Sequence, residues 1–542
     1  MELTTYQKDI VSYFKEHPRS NMYISAKAGC GKSFIASQLL QDTEAYSVYI
    51  AFNSSIAEEM RGKLHNPKVR IYTMHALCRA ILIYNLQNED GAETKTGGFG
   101  VRKVIVNEKV DTFKAYEILR KQIFVGKEYK DFEYTSFLVE NFVRLYDLVR
   151  LKVIDLELIS NAKHDIAKII TEQNLFMHER FFAPTIDEIY AIIKQLDTLS
   201  YNAFEETQSY DFTDMLYITY KKISNHEWEV PYWACFTNVV IDESQDLSLI
   251  QLFLLKFLKR KNGRYIFILD PRQAIYAFSG ADSNSYNKIK YLFAPIREFD
   301  LPINYRCASS HLDYVNKMHN IGIIPCDTAP KGMIKTIDKI ECLDLAQAGD
   351  FIIGRKNKWL TPIILGLIKR GKAVYIKDEK FVKDIVNTIK KTKIDEVDLL
   401  YRRLTSKRKN LKERIIREEK AMAEYAEHIE DKSEEIERIT IVTDLLKAFK
   451  KEHTTNSVKA FLKYVESILN TTPSDDCIIV SSIHCVKGLE ATNVFVLNEG
   501  KAISEHFMEY EQKQQERNLS YVSLTRAKEN LYLVRAQGEE YS

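Results

Sequence analysis

The sequence predicts an α/β protein: two parallel sheets with helices on both faces, each interrupted by a mainly helical insertion. Three observations predict this class. Short continuous apolar runs alternate with helix-like segments, the pattern of strands buried on both faces. One run opens into a glycine-containing turn and another ends in paired acids, both where ligand chemistry gathers in such sheets, at the carboxyl ends of strands. Two long stretches, one in each half, lack that alternation and read as mainly helical.

The elements follow in order. NMYISA leads into AKAGCGKSFIASQLL, AYSVYIAFN into SSIAEEMRGKL, and VRIYTMH into ALCRAILI. From about residue 86 to 210 the pattern is largely helical, apart from TKTGGFG. The sheet pattern returns after YDFTDML: NVVIDES leads into LSLIQLFLLKFL, and RYIFILD into PRQAIYAF. A second α/β unit runs from REFDLPINYR through FIIGR and AVYIKD, resumes at DDCIIVSSIH and closes with LYLVRA. Between Lys372 and Thr472 there is neither Gly nor Pro, and apolar residues recur at Leu404, Leu411, Ile415, Met422, Ile429 and Ile436. That near-heptad spacing predicts long amphipathic helices, arranged as a hairpin. Such an insertion either only packs or also offers a surface to a protein partner. The predicted division is therefore 1–85 plus 211–295 for the first α/β unit, with insertion 86–210, and 296–378 plus 472–542 for the second, with the short insertion 379–471.

A chain of 542 residues is too long for one ordinary domain. Lys and Arg number 77 against 75 Asp and Glu, a net charge of +2, so a nucleic-acid partner would need a local basic groove. No apolar run is long enough to cross a bilayer, and the start, MELTTYQKDIVSYF, lacks the order of a secretory signal. The eight cysteines form no CxxC pair, which argues against zinc ribbons and disulfide scaffolds and fits a reducing cytoplasm, a host's cytoplasm for a viral protein.

The chemistry is concentrated in ISAKAGCGKSFIASQLL and NVVIDESQD. Backbone amides around Gly29 and Gly31 can wrap a phosphate tail, Lys32 can reach the β- and γ-phosphates, and the Ser33 hydroxyl can hold Mg²⁺. Asp242 can hold the same ion from a second strand end, and Glu243 is placed to activate water. The loop departs from GxxxxGK[ST] because Ala26 stands where the first glycine is expected. Nucleoside triphosphate binding and hydrolysis is the reading these residues support. Cys30, inside the loop, is read as a small inert residue rather than a redox switch.

Further segments narrow the class: DESQD, then ILDPRQAIYAFSGAD, LPINYRCAS, SSIHCVKGLEATNVFVL and ERNLSYVSLTRAKENLYLV. In this order and spacing they resemble the motifs of the UvrD/Rep-like superfamily 1 helicases. TTYQKDIV resembles that family's Q motif, AFNSSIAEEM its motif Ia, YTMHALC its motif Ib, and DFTDML the segment that re-enters the first motor domain. The likeness spans nearly the whole chain and is weak in the two insertions.

The resemblance implies two RecA-like motor domains, 1A and 2A, carrying insertions 1B and 2B, with ATP and Mg²⁺ as cofactors. Around ATP it places the loop Ala28, Gly29, Cys30, Gly31, Lys32, Ser33 and the following Phe34, with Gln7 on the adenine edge, Tyr305 on the base, and Gly488 and Glu490 on the phosphate and ribose sides. Gln7 also reads as a plain N-terminal helix residue. Gln273 and Arg306 would sense the γ-phosphate, and Arg526 would act as an arginine finger; a structural role for either arginine remains the alternative. Phe52, Tyr276 and Phe278 would stack on bases, which needs no sequence specificity. Asn53, Thr73, His75 and His484 would complete the nucleic-acid track, although local capping bonds would equally occupy them.

The implied function is an ATP-dependent DNA helicase or translocase moving 3′→5′ on single strands, acting at single-strand/double-strand junctions as a monomer, without a membrane. Three alternatives stand beside it: a translocase that displaces proteins or remodels recombination intermediates with little unwinding, a nucleic-acid-binding scaffold with a weak ATPase, and a phosphate-loop enzyme of small molecules. The last leaves the three aromatics unexplained. Phe34 and Ser279 stand where many members have arginine, Leu269 where a glycine is usual, and the second insertion is short for the family.

Overall fold

The computed structural model describes residues 3–89, 109–125, 132–177, 183–276, 284–355, 357–377, 379–421, 428–468, 476–498 and 510–535. Contacts divide the chain into two compact units: residues 1–27 with 31–301, and residues 302–542 with Ala28–Cys30.

In the first unit, α1 (Thr5–Glu16) starts at a capping box in which Thr4 and Gln7 satisfy each other's backbone N–H. Three strand–helix steps follow: β1 (Asn21–Ala26) to α2 (Lys32–Gln41), β2 (Ser47–Ala51) to α3 (Ser54–Lys63), and β3 (Val69–Thr73) to α4 (Met74–Glu89). The chain then leaves the sheet through β4 (Lys109–Val110), α5 (Lys114–Ile118), α6 (Phe132–Leu151), α7 (Ile159–Glu172) and α8 (Ile186–Thr207). It returns through β5 (Ser209–Tyr210), which pairs with β4, and α9 (Phe212–Ser224). Then come β6 (Phe236–Ile241), α10 (Leu249–Leu255), β7 (Lys259–Leu269), α11 (Ser285–Leu292) and β8 (Ile296–Leu301). The sheet order is β3-β2-β6-β7-β1-β8, all parallel. Every residue of β2 is buried, as expected of an interior strand covered on both faces.

Among the described residues, one hydrophobic core of this unit lies around the sheet and α9–α10 and another among α5–α8. A buried charged cluster joins them. Arg150, on α6 and 1% exposed, donates to Asp214 Oδ1 at 2.5 Å and Asp211 Oδ2 at 3.1 Å on the α9 side, and to Asp147 Oδ1 at 2.6 Å. Lys114 adds a 2.9 Å pair to Asp214 Oδ2. Truncating one member of such a cluster strands the others without a counter-charge. Arg150→Ala is expected to lower stability by about 3–5 kcal/mol, read as a fall in the urea midpoint. An unchanged midpoint would show the cluster to be dispensable.

One boundary differs from the sequence reading. The sequence pattern places REFDLPINYR in the second α/β unit, with the division at 295/296, but Ile296–Leu301 pairs with β1 from Asn21↔Ile296 to Ala26↔Leu301. The first unit therefore runs to Leu301. An apolar–polar strand after a helix suits the edge of either sheet, and nothing local distinguishes them.

The second unit opens with a small parallel pair, β9 (Ile303–Asn304) and β10 (Ile324–Pro325), flanking α12 (Ser309–His319). Its sheet contains β11 (Met333–Asp338), β12 (Phe351–Gly354), β13 (Val374–Ile376), β14 (Ile478–Ser482), β15 (Ala491–Leu497) and β16 (Ala527–Arg535). The order is β11-β16-β15-β12-β14-β13, again parallel. Helices α13 (Lys339–Leu345), α14 (Asn357–Lys369), α15 (Glu379–Lys390), α16 (Val397–Ala421), α17 (His428–Glu452), α18 (Val458–Ile468) and α19 (Tyr510–Leu524) complete it. The stretch without Gly or Pro forms α15–α18, and α16 pairs with α17 through Lys407–Glu435 at 2.6 Å. Leu404 and Leu411 are buried, Ile436 is partly buried, and Ile415, Met422 and Ile429 fall outside the described side chains. The helical stretch shares one core with the sheet, from Ile352 and Val480 to Leu404, Leu445 and Phe461. No helix among the described residues is long and apolar enough to cross a membrane.

Candidate nucleotide and nucleic-acid sites

In the first unit, β1 delivers the chain to Gly31, which caps α2 with φ +82°, a left-handed conformation that favours glycine. The position also borders Gln7: a Cβ on Gly31 would be in ordinary contact with Gln7 Nε2, at 3.9 Å. Gln7 is 4% exposed and its Oε1 accepts from Thr4 N–H at 3.1 Å, so its amide both caps α1 and faces the loop. Lys32 and Ser33 occupy the first turn of α2, whose N-terminal N–H groups and dipole favour an anion. Phe34, beside them, is 38% exposed. Inside the second unit, Gly29 has φ +70°, and a Cβ there would come within 2.6 Å of Asn304 Nδ2 and 2.8 Å of Arg306 Cβ. The Ala28 N–H donates to Tyr521 OH at 2.9 Å in the same unit, and Cys30 is buried.

β6 leads directly into Asp242 and Glu243. Lys32 Nζ pairs with Glu243 Oε1 at 2.5 Å. Burial opposes the lysine charge, yet Glu243, Asp242 and Asp270 outweigh it and hold Lys32 above its ordinary range. An ammonium carries three N–H donors, and the Glu243 contact engages one of them. Asp242 is 4% exposed and raised above the ordinary carboxylate range, first by burial and then by Glu243. Its Oδ2 accepts from Tyr49 OH at 2.5 Å and its Oδ1 from Glu243 N–H at 2.9 Å. A buried ammonium with spare donors, facing two acids and a helix N-terminus, suits a phosphate chain and a hard cation. Ser33 and Asp242 would hold Mg²⁺ there.

Gln245 extends the network. Its Nε2 donates to Glu243 Oε2 at 2.5 Å, and its Oε1 accepts from Asp270 N–H at 3.1 Å. Asp270 Oδ2 in turn accepts from Gln273 Nε2 at 2.7 Å. Three residues beyond Gln273, Tyr276 stacks on Phe52 with ring centroids 5.3 Å apart and 17° between planes. Phe52 is 38% exposed. Phe278 and Ser279 lie outside the described residues. Asn53 Oδ1 accepts from Ile56 N–H and Thr73 Oγ1 from Ala76 N–H, so both side chains cap local turns. His75 is kept below its ordinary pKa by burial.

In the second unit, Arg306 Nε pairs with Glu490 Oε2 at 2.5 Å, and Glu490 also pairs with Lys528. Arg526 is fully buried, donating to Val522 O at 2.8 Å and Leu489 O at 3.1 Å. Tyr305 is 40% exposed, and Gly488 has φ +84°. His484 follows β14. Burial, then Arg355 and Lys487, press its pKa down from 6.5 to about 4. A depressed histidine adds stability above the unfolded value that is lost as pH falls from 6.5 to about 4, at most about 3 kcal/mol for one site. His484→Gln is expected to flatten that part of the acid dependence of unfolding; an unchanged slope would contradict the depressed pKa.

Sequence reasoning missed Gln245, Tyr49 and Arg355. Gln245 sits inside DESQD and Arg355 directly follows the strand FIIG, so both carried a positional signal. Tyr49 had none, because β2 is apolar and buried throughout.

Known helicase domains match the sequence over most of its length. Residues 3–294 match the UvrD/REP helicase N-terminal domain, and residues 156–538 match the UvrD-like helicase C-terminal domain. The chain is similar to a probable DNA helicase II homolog of Mycoplasma genitalium, 23% identical over 283 residues, covering 50% of this chain and 35% of that protein. A probable DNA helicase II homolog of Mycoplasma capricolum subsp. capricolum is 23% identical over 501 residues, covering 72% of this chain and 68% of that protein. The RecBCD enzyme subunit RecB of Borreliella burgdorferi is 43% identical over 83 residues, 15% of this chain and 7% of that protein. The match thus spans only about a third of the first of these relatives. With both helicase-domain models matched over most of its length, this chain belongs to the UvrD/Rep family of helicases.

Proposed function

We propose that this chain is an ATP-dependent DNA helicase or translocase that moves 3′→5′ on single-stranded DNA. The observation that carries the reading is the network of the first unit. Lys32, Asp242 and Glu243 form a phosphate-ready cluster, and Gln245, Asp270 and Gln273 lead from it to the stacked Phe52–Tyr276 pair. Mg²⁺ would be held by Ser33 and Asp242 and would offset the charge of the phosphates. Glu243 takes the proton of the attacking water, Lys32 anchors the phosphate tail, and Gln273 reports the γ-phosphate to the segment carrying Tyr276. Arg306 and Arg526, now held by partners within their own unit, are read as phosphate contacts on their motif positions alone. Stacking contributes about 1–3 kcal/mol per base without sequence preference, as a translocating motor requires. Gln7, Phe34, Tyr305, Gly488 and Glu490 complete the nucleotide contacts, and His484 adds one to the nucleic-acid track.

A second reading, a single-strand translocase that clears proteins with little unwinding, is favoured by the small size of the helical stretch Glu379–Ile468. Displacement of labelled strands from 3′-tailed and 5′-tailed duplexes, in DNA and in RNA, with and without ATP, tests activity, direction and substrate together. A protein-displacement assay on the same preparation separates the two readings. ATP turnover indifferent to single-stranded DNA would sink both.

A further inference from the structure

We infer that Tyr49 is a positioning residue of the nucleotide site: its phenol fixes the Asp242 carboxylate in the orientation that a metal–nucleotide complex requires. The inference rests on the ATPase reading above. β2 and β6 are neighbours, with Tyr49 opposite Val240 and Ile50 opposite Ile241. The Asp242 N–H continues the ladder to Ile50 O at 3.0 Å. Side chains two residues apart share a strand face, so Asp242 and Tyr49 project to the same side, and the length of the ring carries its hydroxyl to the carboxylate. The Tyr49 OH donates to Oδ2 at 2.5 Å.

The hydroxyl has no packing purpose. Tyr49 is 0% exposed, and phenylalanine would fill the same volume without burying a polar group. The carboxylate, by contrast, needs a fixed partner. The terminal torsion of aspartate is broad, so packing alone does not orient its oxygens. Two donors do so here: the phenol on Oδ2, and on Oδ1 the N–H of Glu243, a non-glycine residue held at φ +47°. Holding such a residue in the left-handed region costs of order 1 kcal/mol, a strain that persists where the surroundings demand it. With one lone pair of each oxygen so occupied, the others are aimed in a set direction.

The test uses the full chain and Tyr49→Phe. Binding of fluorescent ADP is titrated with excess Mg²⁺ and again in EDTA, beside the Mg²⁺ concentration that half-saturates ATPase. Affinity in EDTA is expected to stay at the wild-type value. The tightening produced by Mg²⁺ is expected to shrink about tenfold, in line with loss of a partner behind a metal ligand. In the Asp242→Asn background the same substitution is expected to have no further effect. Mg²⁺ dependence identical to wild type would overturn the assignment and leave the ATPase reading standing; a wild-type protein without Mg²⁺-dependent nucleotide binding would overturn both. Should Tyr49→Phe fail to fold, wild-type protein labelled at tyrosine ¹³Cζ decides. A tyrosine resonance that is removed by the Asp242→Asn change and moves between ADP in EDTA and ADP with Mg²⁺ supports the role, and no such resonance overturns it.

Discussion

Lys32→Ala is expected to abolish useful ATP turnover, lowering kcat by roughly 10²–10³. The side chain is almost enclosed, its ammonium 2.5 Å from Glu243, a contact that engages one of its three donors. A phosphate chain at the start of α2 would take the others, so removal of the ammonium strips charge where the transition state gathers it. Nucleotide affinity is expected to fall as well, because the same contact exists in the ground state. Steady-state turnover and fluorescent-nucleotide binding measure the two effects. Turnover within about threefold of wild type would remove Lys32 from the machinery, since uniform loss of binding alone leaves kcat intact.

Glu243→Gln is expected to separate binding from chemistry. The amide keeps the shape of the side chain and one acceptor, but it no longer takes a proton. Loss of a general base costs about 10²–10⁴ in rate. One hydrogen bond in the network also changes sense, because Gln245 Nε2 donates to Glu243 Oε2 and an amide nitrogen there would face a donor. ATP is expected to bind at near wild-type affinity while single-strand-stimulated hydrolysis disappears, so the variant should hold single-stranded DNA with ATP bound and not advance. Filter binding and phosphate release on one preparation check this. Parallel loss of affinity and turnover would assign Glu243 a structural role as the counter-ion of Lys32.

Much of the site was legible locally. The glycines at 29 and 31, the adjoining Lys32 and Ser33, and the acids closing an apolar run need only a few consecutive residues to be recognised, and Phe52 and Tyr276 stood out as aromatics after strands. The network between them was not legible. Gln245 touches Asp270 across 25 residues, and its effect depends on which way an amide points inside a closed core. Gln7, Asn53 and Thr73 show the converse. Their side chains serve helix or turn caps, and a capping signal and a ligand signal use the same residue types.

By itself the sequence determined the alternation of strands and helices, the phosphate loop and the order of the motifs, because periodicity, turn chemistry and motif spacing are carried by neighbouring residues. Only the tertiary structure decided that residues 296–301 close the first sheet, that Arg150 joins two cores across 64 residues, and that a phenol 193 residues away holds Asp242. The physical reason is the same in each case: strand pairing and buried charge are settled by what the rest of the chain leaves unpaired, and that is known only once the chain has closed around them.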